Sequence, residues 1–280
     1  MTPSMRPWGL VLLLGCGGAG RDLPVLATPA ARASTVPSPC ASKDATNAAP
    51  SDAPTPDAVA FEEALTLYHR HDANADGALA RFAQDWPHSS RLPDAYVARA
   101  DLAFEAAGTD PKRLQEARQH YQAALAIPPP ENRVWGYAAY KLAYVFWNTG
   151  DHRKALAALK DVIELGARYP DLDGAAKLRD TALRDFAPLF AEVGPPERAR
   201  ALFTTLAGDE AKVRAMLVLL ATTYDEHGKH AEARSVFAEL KVWDVADACV
   251  YEVRARHAVP NKNRAAEELE LANCASRSGP

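Results

Sequence analysis

Three groupings of side chains in this 280-residue chain are of types that could do chemistry. Asp72, Asn74 and Asp76 alternate ahead of Gly77, and Leu79 follows two residues after it. Oxygen donors at every second position before a bend glycine are how a calcium-binding loop begins, but such a loop closes on a bidentate carboxylate at its twelfth residue. That residue is Ala83, which has no oxygen to offer, and Asp85 comes two residues too late. The stretch therefore reads as a turn between helices in which Asp and Asn serve as caps. His69 with His71, and His227 with His230, are of a type that could hold a metal, yet packing is the better reading of their positions, and no metal or other cofactor is expected. Ser/His/Asp motifs, glycine-rich phosphate loops and glycosidase-type carboxylate pairs do not stand out, so the chain does not read as an enzyme.

The third grouping is aromatic. In GYAAYKLAYVFWNTG (136–150), Tyr137, Tyr140, Tyr144 and Trp147 recur at i, i+3, i+7 and i+10, one stripe along a helix, with Asn148 beside its end. Rings with polar tips dominate protein-recognition surfaces, and an asparagine amide can pair with a peptide backbone. The same stripe could instead pack on neighbouring helices, and the spacing leaves both readings open.

Positioning such a stripe requires a scaffold, and composition bounds it. With 48% apolar and 24% charged residues the chain has an ordinary soluble composition, sufficient for one or two domains. A formal net charge of −4 leaves no basic excess to neutralise phosphates, so no nucleic-acid partner is expected. The apolar run Trp8–Leu14 is too short to span a bilayer, which takes about 20 residues. Its length suits the apolar core of an export signal, preceded by Arg6. Gly17 to Pro56 is Ala/Pro/Ser/Thr-rich, with seven prolines and no aromatic residue. It cannot bury enough apolar area to offset its ordering entropy, and reads as a tether.

Beyond Pro56, alanine-rich amphipathic segments repeat about their glycines. Eight, seven and four residues before Gly150 stand Leu142, Ala143 and Phe146; five, nine and twelve after it stand Ala155, Leu159 and Val162. The same offsets from Gly194 give Phe186, Ala187, Phe190, Ala199, Phe203 and Leu206, and from Gly228 they give Leu220, Ala221, Tyr224, Ala233, Phe237 and Leu240. Small residues where backbones approach and large ones between describe two antiparallel helices meeting at a tight turn. A weaker unit centres on Phe104 and Gly108, with Asp101 where a small residue is expected, and another runs from Phe61 to Trp86.

These units resemble the tetratricopeptide repeat family, and Gly228 follows Gly194 by that family's 34 residues. The resemblance implies an all-α fold: a right-handed α-solenoid of antiparallel helix pairs, about five repeats over 57–245, with C-terminal capping helices and a tail over 246–280. Pro188 should kink or shorten the first helix of its unit. His152 and His230 fall just after turns, where the family usually has an aromatic, which favours packing. In the family the second face of the first helix lines a groove for extended peptides, which implies a protein-binding role for Tyr137, Tyr140, Tyr144, Trp147 and Asn148.

Leu13-Leu14-Gly15-Cys16 resembles the lipobox of bacterial lipoproteins. That likeness implies a signal peptide over 1–15, lipidation at Cys16, and a tether over 16–56. Gly17, in place of aspartate, implies sorting to the outer membrane, facing the periplasm. An oxidising periplasm would permit a Cys249–Cys274 bridge, the alternative being two buried thiols; Cys40 would be left over. Asp85-Trp-Pro-His-Ser89 followed by Ala95-Tyr96 is similar to the opening of the repeat lipoprotein of outer-membrane β-barrel assembly machines and related envelope coordinators, although the long tether and Pro188 depart from it. The expected function is a non-catalytic scaffold for periplasmic or outer-membrane proteins or extended peptide segments, in envelope assembly, secretion or a surface machine. The alternative is an envelope protein holding peptidoglycan or a small molecule in the aromatic groove.

Overall fold

The computed structural model describes residues 54–172 and 174–277. The expectations for the signal, Cys16, Cys40 and nearly all of the tether fall outside the described residues.

Within them the chain forms twelve α-helices and no strand: α1 (Pro56–His69), α2 (Ala75–Asp85), α3 (Leu92–Glu105), α4 (Pro111–Leu125), α5 (Trp135–Asn148), α6 (His152–Arg168), α7 (Ala175–Val193), α8 (Ala199–Ala207), α9 (Glu210–Glu226), α10 (His230–Trp243), α11 (Ala248–His257) and α12 (Arg264–Arg277). The first ten form five antiparallel pairs in an α-solenoid, and α11 and α12 close its C-terminal end. Starts are written in the sequence. Pro56 and Pro111 stand in first turns, where a missing N–H costs nothing. Asp110 and Asp209 accept from the backbone N–H groups of Lys112 and Lys212 at 2.9 and 2.8 Å.

The core is continuous because each pair cannot bury its apolar stripe alone. One buried cluster joins α1 and α2 to Ala95 and Ala98 of α3. A second begins with Val97, Ala100 and Ala103 on the same helix and runs to Ala258. α3 thus serves both, through alternate sides.

The three superposed turns are not alike in the structure. Gly150 and Gly228 have φ of +78° and +74°, and in both the next residue's N–H returns to the carbonyl five back, Asp151 to Phe146 and Lys229 to Tyr224. This is the glycine C-cap that left-handed backbone permits. Gly194 instead is extended, with φ −94°, followed by Pro195 and a short 3-10 turn at Pro196–Arg198. Its glycine is required by space: a Cβ there would stand 2.3 Å from the Phe190 ring. The cause lies in the fourth pair, where Phe186 and Phe190 each meet Phe203 edge-on at 6.1 and 5.5 Å, and the backbones of α7 and α8 hardly approach.

Pro188 does not shorten its helix. α7 runs unbroken over nineteen residues with Pro188 buried inside it, held between α6 and α9. Tertiary burial of the 186–191 stretch outweighs the lost backbone hydrogen bond.

At the C-terminal end, Tyr251 donates to the buried Asp244 at 2.8 Å, Arg234 donates to the Ala258 carbonyl at 2.7 Å, and Lys262 donates to Asp225 at 2.6 Å. Cys249 and Cys274 are joined as a disulfide between α11 and α12.

The two kinds of turn glycine separate by experiment. Gly150→Ala and Gly194→Ala should each destabilise the chain by about 1–3 kcal/mol in urea unfolding. Adding Phe190→Leu should recover part of the loss at Gly194 and none at Gly150.

Candidate protein-binding face on α5

The aromatic stripe lies on α5, the central first helix of the array, flanked by α3 before and α7 after. Its four rings are half-buried and Asn148 is exposed. The three tyrosine hydroxyls are already engaged.

On the α3 side stands Asp101, 5% exposed, at the position where a small residue is expected. Its carboxylate accepts from the hydroxyl of Tyr121 on α4, and from that of Tyr137 at 3.1 Å. The ammonium of Lys141, itself buried, lies 3.8 Å away and also sits over the Phe104 and Tyr137 rings at 5.2 and 5.7 Å. Burial pushes the Asp101 carboxyl above the usual range, opposed by Lys141 and the two phenols. Both phenols are pushed well up, first by burial and then by the adjacent carboxylate, so they remain donors.

On the α7 side, Asp185 accepts from Tyr140 at 2.7 Å and from Tyr144 at 2.6 Å, and the two hydroxyls lie 3.1 Å apart. Burial and Asp185 again raise both phenols. Trp147 meets the His152 ring edge-on at 5.4 Å across the Gly150 turn. The Asn148 amide donates to the Tyr144 carbonyl at 2.8 Å.

The stripe is thus divided by role. Tyr137 is drawn into the α3–α5 seam, Tyr140 and Tyr144 into the α5–α7 seam, and Trp147 and Asn148 stand at the end of the helix, Trp147 partly buried against the core and Asn148 exposed. Partial exposure of the four rings keeps them available to a ligand as edges and faces rather than as hydroxyl donors. Residues 137–171 match the tetratricopeptide repeat family model. The match covers α5, the Gly150 turn and α6, the same pair that carries the stripe. No curated protein and no solved structure matches the chain. Tetratricopeptide repeats are typically non-catalytic modules that bind other proteins.

The remaining motifs resolve into structure. Asp72 accepts from the backbone and side-chain N–H of Asn74 at 2.8 and 2.9 Å, while Asp76 turns to Arg99 of α3 at 2.7 Å. His230 pairs with Asp225 at 2.8 Å and His227 with Glu192 at 3.0 Å. Among the described residues, no three His, Cys, Asp or Glu side chains gather as metal ligands. In the Asp85–Ser89 turn, Ser89 donates to Asp57 at 2.6 Å, tying the α2–α3 connection to the first turn of α1.

Sequence reasoning missed Asp101 as a partner, and with it Lys141 and Asp185. A signal existed for the first two: an acid in a small-residue slot and a lysine inside an apolar run both ask for buried partners. Asp185 has no comparable mark.

Asp101→Ala leaves a buried lysine without its counter-charge and should cost about 3–5 kcal/mol. Asp185 has no buried counter-charge to strand, its ion partner being the exposed Arg184 at 3.6 Å, so Asp185→Ala should cost only about 1–3 kcal/mol by leaving two phenols short of an acceptor. Urea unfolding of the two variants beside wild type checks the order.

Proposed function

We propose that this chain is a non-catalytic scaffold that binds extended segments of partner proteins on the α5 face and acts in the Gram-negative envelope. The observation that supports the binding role is that the repeat matching the family presents a partly exposed Trp147 and an exposed Asn148 beside tyrosine rings pre-ordered by Asp185. A rigid aromatic costs little entropy when a partner seats on it, and tryptophan is the residue most often found to dominate such contacts.

The address rests on residues outside the described part. Leu13-Leu14-Gly15-Cys16 behind a short apolar run supports lipidation of Cys16, and Gly17 supports the outer membrane over the inner. Two or more acyl chains anchor stably where one does not. A tether of about 40 residues would let the solenoid stand roughly 35 Å from the bilayer, facing the periplasm. A role in envelope assembly, secretion or a surface machine follows from that address, with the resemblance to β-barrel assembly lipoproteins at Asp85–Ser89 as support.

Trp147→Ala with Asn148→Ala is the variant to use, because it spares the Tyr140 and Tyr144 bonds to Asp185. In a pull-down from detergent-solubilised envelopes, wild type should retain proteins that the folded double variant loses by at least about tenfold. Equal recovery would remove the α5 face from the binding role. In the same cells Cys16→Ser should move the protein from the membrane fraction to the soluble periplasm, and continued membrane fractionation would overturn the anchor.

A further inference from the structure

The last two helices meet through a different chemistry from the repeats. α11 is two-faced. Tyr251, Ala255 and Ala258, at i, i+4 and i+7, pack into the main core. Cys249, Val253, Arg256 and His257, at i, i+4, i+7 and i+8, run along the other side, where Val253 is only 4% exposed yet belongs to neither core cluster. The ties on either side of Val253 both lead to α12. Cys249 is bridged to Cys274, and Glu270 accepts from Arg256 and pairs with His257 at 3.2 Å. One turn earlier, Glu267 faces Lys262 of the connection at 3.7 Å.

The docked stripe of α12 is thus Glu267, Glu270 and Cys274, at i, i+3 and i+7: two carboxylates and half of a disulfide. Among the described side chains of this helix only Cys274 is buried, Leu269 is 66% exposed, and none joins either core cluster. Each of the ten repeat helices, by contrast, is held by buried apolar side chains. Ion pairs this exposed hold little, since the Arg256 and Glu270 side chains are 57% and 35% exposed. A helix of 14 residues is marginal in water by itself. The covalent tie is what keeps α12 in place.

We propose that α12 is a redox latch: the Cys249–Cys274 bridge holds it over α11, and reduction by a dithiol releases it and bares the stripe of Val253, Arg256 and His257. A thiolate of the reductant attacks Sγ of Cys249, the partly exposed partner, and Cys274 leaves as a thiolate that takes a proton from water. The reductant's second thiol then displaces Cys249 from the mixed disulfide. Two electrons and two protons pass to this chain, and the reductant becomes a disulfide. The latch uses none of the α5 residues, so it stands or falls apart from the binding reading above.

The test follows amide exchange of residues 264–277 in the full chain, oxidised and after dithiothreitol. Reduction should accelerate exchange across α12 by at least about a hundredfold, and reoxidation should slow it again, while α9 and α10 change by less than about threefold. The Cys249→Ser/Cys274→Ser variant should exchange like reduced wild type with or without dithiothreitol, which assigns the effect to this bridge rather than to Cys16 or Cys40. Glu270→Gln, with the bridge intact, should leave α12 protected. Protection of α12 that is unchanged by reduction would overturn the proposal, because packing would then hold the helix. So would fast exchange of α12 in the oxidised chain, no return on reoxidation, or release by Glu270→Gln alone. A comparable loss across α9 and α10 would overturn it too, making the bridge a staple of the whole end.

Discussion

Asp101 is the residue on which the arrangement of the repeats turns. A carboxylate removed from water is tolerated only with its charge offset and its lone pairs met. Here the offset comes from Lys141 of the following pair, and the donors come from Tyr121 of its own pair and Tyr137 of the next. Close packing of small residues would hold α3 against α4 without specifying where α5 sits. A buried charge with partners on α4 and α5 does specify it, because a shift of one helical turn would strand both Asp101 and Lys141 unpaired.

The same logic recurs with less at stake between α5 and α7, where Asp185, with no buried counter-charge, gathers Tyr140 and Tyr144. α5 therefore works on three sides. One seam is held by a buried charge, another by a shared acceptor, and the far side packs Ala139, Leu142 and Phe146 into the core. A helix fixed this firmly to its neighbours is a suitable base for recognition, since side chains whose rotamers are locked by hydrogen bonds lose little freedom when a ligand arrives.

Much of the solenoid was legible in the sequence, because pair-forming helices repeat the same physical requirement and so repeat the same residue classes. Leu142, Ala143 and Phe146 recur as Leu220, Ala221 and Tyr224, and the glycines between them share one left-handed turn. What could not be read is where that requirement is met differently. Gly194 sits at the same offset, yet its backbone is extended and the glycine answers to the Phe190 ring. Pro188 reads as a helix breaker, but burial between α6 and α9 keeps α7 whole. The stripe on α5 could be placed on one face, but its division between seams depends on Asp101 and Asp185, which lie 36 and at least 41 residues away from the stripe tyrosines they bind. Pairings across that distance are set by packing rather than by local pattern.

Native-state hydrogen exchange on the full chain, wild type beside Asp101→Asn, tests most directly whether this carboxylate couples the repeats. If it does, amide protection falls together in α3, α4 and α5 by a similar factor, while α9 and α10 are little changed. Loss confined to α3, with α5 protected as before, would contradict the coupling and leave apolar packing as what registers the repeats.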